Sequence, residues 1–162
     1  MTSPPEADAE HHTVEMLSDR LAINDLVVSY ACGVDRRDWQ LVGSCFAPDA
    51  YVAGTRMQGP FREYFPFLQA AIEKYDRTTH FVGNHRASVQ RDHASAETYT
   101  VALHFWTDPS AVCHRMALAV RYDDELERRD GWRIVRRTVV AHWEYEEPNA
   151  MNLPWTLPTV ES

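Results

Sequence analysis

The sequence predicts an α+β domain in which N-terminal helices pack on a curved antiparallel sheet, and three observations carry that prediction. In the first part of the chain, Leu17, Leu21, Leu26, Val27, Tyr30 and Val34 recur at three-, four- and five-residue steps, which draws one buried stripe along a helix. From Thr78 onward the period changes to two, and β-branched and aromatic residues become frequent, which is the signature of strands. The breaks in that second part, Arg91-Asp92-His93, Asp108-Pro109-Ser110 and Arg129-Asp130-Gly131, are short, so the strands form an antiparallel meander. Helices first and strands afterwards is the segregation that defines the class.

Taken in order, residues 1–12 hold two prolines and no apolar period, and read as a mobile tail ahead of a domain at 13–147. The first helix carries Tyr30 and Asp35 at its C-terminal end, where a phenol and a carboxylate reach the rim of whatever the stripe packs against. Gly33 weakens that helix, and Asp38 is placed to cap a short second one from Trp39 to Cys45. A Pro-Asp turn then leads to a brief strand around Tyr51. Gly59-Pro60 starts a third helix, running to about Tyr75, with Phe61, Tyr64, Phe65, Leu68 and Ile72 on one side and Pro66 as a kink.

Four long strands follow, at about 78–91, 94–107, 112–127 and 131–145. In the second of them Ala94, Ala96, Thr98, Thr100, Ala102 and His104 share one face, and small residues ending on a His imply a hollow. Tyr99, Val101, Leu103 and Phe105 share the other face, which needs cover from a helix or a second copy of the chain in a homodimer or homotrimer. Residues 148–162 form a Pro-rich tail with Trp155 as a possible anchor.

Charge and composition exclude several functions. The net charge of -8 comes from 16 bases and 24 acids, but the excess acids lie at the two ends, and the body between them has no basic surplus to meet nucleic-acid phosphates. No apolar run approaches the ~18 residues needed to span a bilayer, and the start of the chain lacks a charged-then-apolar leader pattern, so the expected location is cytoplasmic. Lys74 is the only lysine and lies at a polar helix end, which leaves Schiff-base chemistry unsupported. Cys32, Cys45 and Cys113 are odd in number and have no CxxC spacing, against both a disulfide framework and a structural zinc site.

The segments LAINDLVVSYACGVDRRDWQLVGSCFAPDA, THFVGNHRASVQ, AETYTVALHF and GWRIVRRTVV resemble the SnoaL-like branch of the nuclear-transport-factor-two-like superfamily, whose fold is a cone-shaped α+β barrel. Within it the pattern is most similar to enzymes of the scytalone-dehydratase and bile-acid-dehydratase type. That resemblance implies catalytic roles for Tyr30 and Asp35 on the first helix, His80 on the first long strand and His104 on the next. It implies substrate contacts from Tyr51 on the short strand and Arg136 on the last, with Arg137 competing for the second role because the choice turns on one residue of register.

The expected chemistry is dehydration or isomerisation beside a carbonyl in a small hydrophobic, polycyclic substrate, a hydroxylated ketone such as a steroid or aromatic polyketide intermediate. His80 paired with Asp35 supplies the base, Tyr30 and Tyr51 hold the oxyanion, and His104 protonates the leaving hydroxyl. No cofactor is called for, since the phosphate-cradling Gly patterns are absent. A metal is not expected either, because His80 is followed by Phe81 and Val82 and the HxD or HxE pair of a two-His-one-carboxylate site is missing. Two other readings stay open: a non-catalytic ligand-binding module, and a structural protein resembling a dioxygenase small subunit.

Overall fold

The computed structural model describes residues 13–148, so the two expected tails lie outside the described residues but for Pro148. The first helix, α1, spans Val14–Arg36 and starts at Thr13, whose hydroxyl accepts from the Met16 backbone N–H. It buries Ile23, Leu26, Val27, Tyr30, Ala31 and Val34, while Leu17 and Leu21 are exposed. The expected stripe is therefore correct from Leu26 on and out of phase before it. In the first turns Asp19 faces the body instead and accepts from the indole Nε1 of Trp132 and from Arg128.

Asp38 caps the short helix α2, Trp39–Ser44, through the Leu41 N–H. Gly33 permits the two helices to meet: a Cβ there would stand 2.8 Å from Val42 Cγ2. The strands β1 (Phe46–Ala53) and β2 (Gln58–Pro60) form a hairpin, and α3 (Phe61–Ile72) follows with Pro66 inside it. The long strands are β3 (Arg77–Gln90), β4 (His93–Thr107), β5 (Cys113–Arg129) and β6 (Gly131–Pro148).

All six strands form one open sheet in the order β2-β1-β6-β5-β4-β3. The long strands make the expected antiparallel meander, but β1 pairs parallel to β6, so the sheet is mixed. Helices lie against its concave face, where Leu126, Ile134, Tyr122 and Val120 join the helical stripe in the core.

Three bulges set which residues look inward, because one extra residue reverses the alternation beyond it. In β3, Asn84 adopts a left-handed φ of 48° and the register slips between Gly83 and Arg86. His85, which strict alternation would put on the face opposite His80, thereby turns inward, and its Nδ1 lies 2.8 Å from Thr98 Oγ1. In β6 the register slips between Ile134 and Arg136 and again between Ala141 and Trp143. The outer face retains Phe81, Tyr99, Val101, Trp143 and Tyr145 as exposed large side chains. Among the described residues, no helix is long and apolar enough to cross a membrane.

Candidate functional site

The C-terminal end of α1 meets the start of β3, and the meeting is made by one carboxylate. Asp35 Oδ1 accepts from Thr78 Oγ1 at 2.8 Å and lies 2.7 Å from His80 Nδ1, while Oδ2 accepts from the His80 backbone N–H at 2.8 Å. Since β3 is an edge strand, that last bond also satisfies a backbone donor the sheet leaves unpaired. Burial pushes the Asp35 pKa up, but the hydrogen bonds from the His80 ring and backbone, the His80 charge and Thr78 outweigh it, and the carboxyl is held below its ordinary value. With Asp35 as acceptor, His80 carries its proton on Nδ1 and keeps the lone pair on Nε2.

His80 lines a cavity of about 140 Å³ between α3 and the concave face of the sheet. His104 lines it too, one strand over. Thr78 is its direct cross-strand partner, and the His80 and His104 rings stand 5.8 Å apart in an edge-to-face arrangement. His104 is 5% exposed, and its Nδ1 is buried without a hydrogen-bond partner among the described residues. Burial, reinforced by the neighbouring His80, lowers its pKa to about 4, so at neutral pH the ring is uncharged and serves as a hydrogen-bonding group. Tyr75 packs on it at 4.6 Å, and the Tyr75 carbonyl is held by Arg37 just after α1.

The remaining wall combines phenols with aliphatic side chains. Tyr30, Tyr64 and Tyr122 all border the cavity, and burial raises the pKa of each, which keeps them as neutral O–H groups. Leu68, Ile72, Met116, Leu118 and Val139 supply much of the apolar surface. Arg56 stands on the lining and pairs with Glu144 at 3.1 Å, both side chains about half exposed.

Tyr30, Asp35, His80 and His104 are thus brought together, whereas Tyr51 and Arg136 are not. Tyr51 lies beside Arg136 across the β1–β6 pair, and the exposed Arg136 guanidinium rests 5.2 Å from the Tyr51 ring centre on the outer face. The bulge at Val135 is the physical reason. One inserted residue shifts the inward position from Arg136 to Arg137, which is 1% exposed and binds Asp124 through two hydrogen bonds of 2.7 Å. Arg137 also lies 4.3 Å from the Tyr30 ring centre and 4.2 Å from that of Tyr122, so it backs the phenolic wall. Thr78, Tyr64, Tyr75 and Tyr122 escaped the sequence reading of the site. For Thr78 and Tyr122 the two-residue alternation that places His80 and Asp124 was the available signal.

Among the described residues, no three His, Cys, Asp or Glu side chains are arranged to hold a metal ion. The comparisons with known proteins agree with the architecture. The SnoaL-like domain model matches residues 15–138. An uncharacterized protein of Mycobacterium tuberculosis is 31% identical over 130 residues, which is 77% of this chain and 86% of that protein. A provisionally assigned scytalone dehydratase from Novosphingobium aromaticivorans has a TM-score of 0.71 at 20% identity, covering 80% of this chain and 87% of its own. The hexachlorocyclohexane dehydrochlorinase LinA-type3 from Novosphingobium barchaimii also has a TM-score of 0.71, at 23% identity over 90% of this chain and 99% of its own. At such identities the solved structures speak for the fold alone. The family match runs from the first helix into the last strand, and this chain belongs to the SnoaL-like domain family.

Proposed function

We propose that the protein is a cofactor-free lyase of the dehydratase type, eliminating water from a hydrophobic hydroxylated ketone by His–Asp general acid/base catalysis. The observation that carries this reading is the Asp35–His80 pair, 2.7 Å apart, opening on an apolar cavity beside His104. His80 Nε2 takes the proton from the carbon next to the carbonyl, and the bonding pair moves into an enolate. Tyr30, aided by Tyr64 and Tyr122, donates to the enolate oxygen, each such donor contributing up to about 3 kcal/mol in a water-poor site. When the enolate collapses, the C–O bond at the neighbouring carbon breaks and a C=C bond forms. The departing oxygen receives the proton held by His80, so the substrate loses one water and the protein ends unchanged. His104 differs from its expected role: neutral at working pH, it steadies the departing oxygen with a hydrogen bond.

The test is turnover on a panel of β-hydroxy ketones, read as the near-ultraviolet absorbance of the conjugated product. His80→Ala and Asp35→Asn should each lower it by at least about 100-fold with the circular dichroism spectrum unchanged. Unaltered rates in both variants would remove the mechanism. Ligand affinity without turnover in the wild type would replace it by the binding-module reading.

A further inference from the structure

We infer that the site takes an uncharged, single-ring substrate and excludes the polycyclic ones, with a polar substituent of that ring seated against His104. The inference rests on the elimination reading for its chemistry and on the cavity for its size and charge selection. Three observations support it.

The first is volume. A cavity of about 150 Å³ holds one benzene ring, and drug-sized ligands occupy pockets of roughly 300–1,000 Å³. The cavity bordered by His80 and His104 is about 140 Å³. Only part of a four-ring skeleton fits within that volume, and seating the remainder inside requires displacing wall side chains such as Leu68, Met116 or Leu118.

The second is charge. Among the lining residues Arg56 is the one with a permanent charge, and Glu144 already neutralises it at the exposed mouth. Asp35 is engaged by Thr78 and His80, and Arg137 by Asp124 behind Tyr30 and Tyr122. An anion or cation entering the cavity would shed its hydration and meet no free counter-charge.

The third is an unmatched polar atom. His104 Nδ1 is buried, lacks a partner among the described residues, and belongs to a side chain 95% removed from solvent. Such a group is satisfied in native structures by a polar neighbour. His104 lines the cavity beside His80, and a flip of the imidazole turns this nitrogen towards a polar substituent on a ring held against His80, where the departing group of an elimination must lie.

The experiment is an NMR titration of the full chain, following the imidazole protons of His80 and His104, with four probes: 2-cyclohexen-1-one, 1-tetralone, progesterone and benzoate. The one-ring ketone should shift both signals, with 1-tetralone and benzoate at least about 10-fold weaker and progesterone without effect to its solubility limit. Met116→Ala and Leu118→Ala, which remove wall atoms, should each bring 1-tetralone to the affinity of the one-ring ketone. The titration is repeated on His80→Ala, following His104. Retained one-ring binding there, alongside unaltered turnover, would discard the elimination chemistry while upholding the size and charge selection. Binding of progesterone or benzoate as tight as that of the one-ring ketone, or no binding of the one-ring ketone, would overturn the inference.

Discussion

Replacing Asp35 by Asn removes one charge and alters one atom, yet neither orientation of the amide suits its neighbours. With the amide nitrogen at the Oδ2 position it faces the His80 backbone N–H, donor against donor. At the Oδ1 position it faces His80 Nδ1, which must then carry a lone pair, so the ring proton moves to Nε2 and the base disappears. Hydrogen bonds to a charged group contribute about 1.5–3 kcal/mol each. The Asp35 side chain is 23% exposed, and solvent screening reduces that figure, so the expected loss of stability is about 1–3 kcal/mol. Turnover should fall by at least about 100-fold. The assay pairs steady-state kinetics with urea unfolding for Asp35→Asn, His80→Ala and the double variant. Because the two residues act as one unit, the double variant should be within about threefold of His80→Ala. Stability adds a second reading. A carboxyl whose pKa is depressed by folding stabilises the fold above its unfolded value, and that stabilisation is lost as pH falls through the folded value. Below about pH 4 the wild type should lose stability that Asp35→Asn does not. Turnover of Asp35→Asn within about threefold of wild type, or rate losses that multiply in the double variant, would refute the coupling.

Four further outcomes are expected. The His104 pKa is lowered to about 4 by burial, so its contribution is complete above pH ~6.5 and declines as pH falls towards 4. That decline reaches about 3 kcal/mol, and urea midpoints of His104→Phe across this range should not show it. Arg137→Met leaves the buried Asp124 uncompensated and should cost about 3–5 kcal/mol in chemical denaturation, whereas Arg137→Met with Asp124→Leu should recover most of it. Arg136→Ala, on the outer face, should leave turnover within about twofold of wild type. The outer face carrying Tyr99, Val101 and Trp143 is expected to be covered by a second copy, and a monomeric mass in sedimentation at micromolar concentration would exclude that.

The class and the four long strands were legible in the sequence because each rested on periodicity or on a local cap, while the grouping of Tyr30, Asp35, His80 and His104 came from the family resemblance. Asp38 capping α2 and the shared inner face of Ala102 and His104 are of this kind. What escaped depended on register over long distances. A strict two-residue alternation cannot reveal that Asn84, Val135 and His142 are inserted residues, and each reverses the faces beyond it. The inward places of His85 and Arg137 were hidden for that one reason. The parallel pairing of β1 with β6 was hidden differently: it joins segments far apart in the chain, and nothing local in FAPDAYV marks its partner. Leu17 and Leu21 misled through composition, since apolar residues on a helix overhanging the sheet look the same as buried ones.

The position of β6, last of the described strands yet lodged between β1 and β5, imposes an order on biosynthesis. Some 80 residues separate the end of β1 from the start of β6, an interval of roughly 4–16 s at ordinary elongation rates. Through that interval the β1–β2 hairpin has no sheet to join, and once β5 has been made its facing edge stays unpaired until β6 follows. A chain stalled before β6 therefore presents two open edges that a neighbouring nascent chain could pair with, which makes the eighteen-residue β6 the step that closes both.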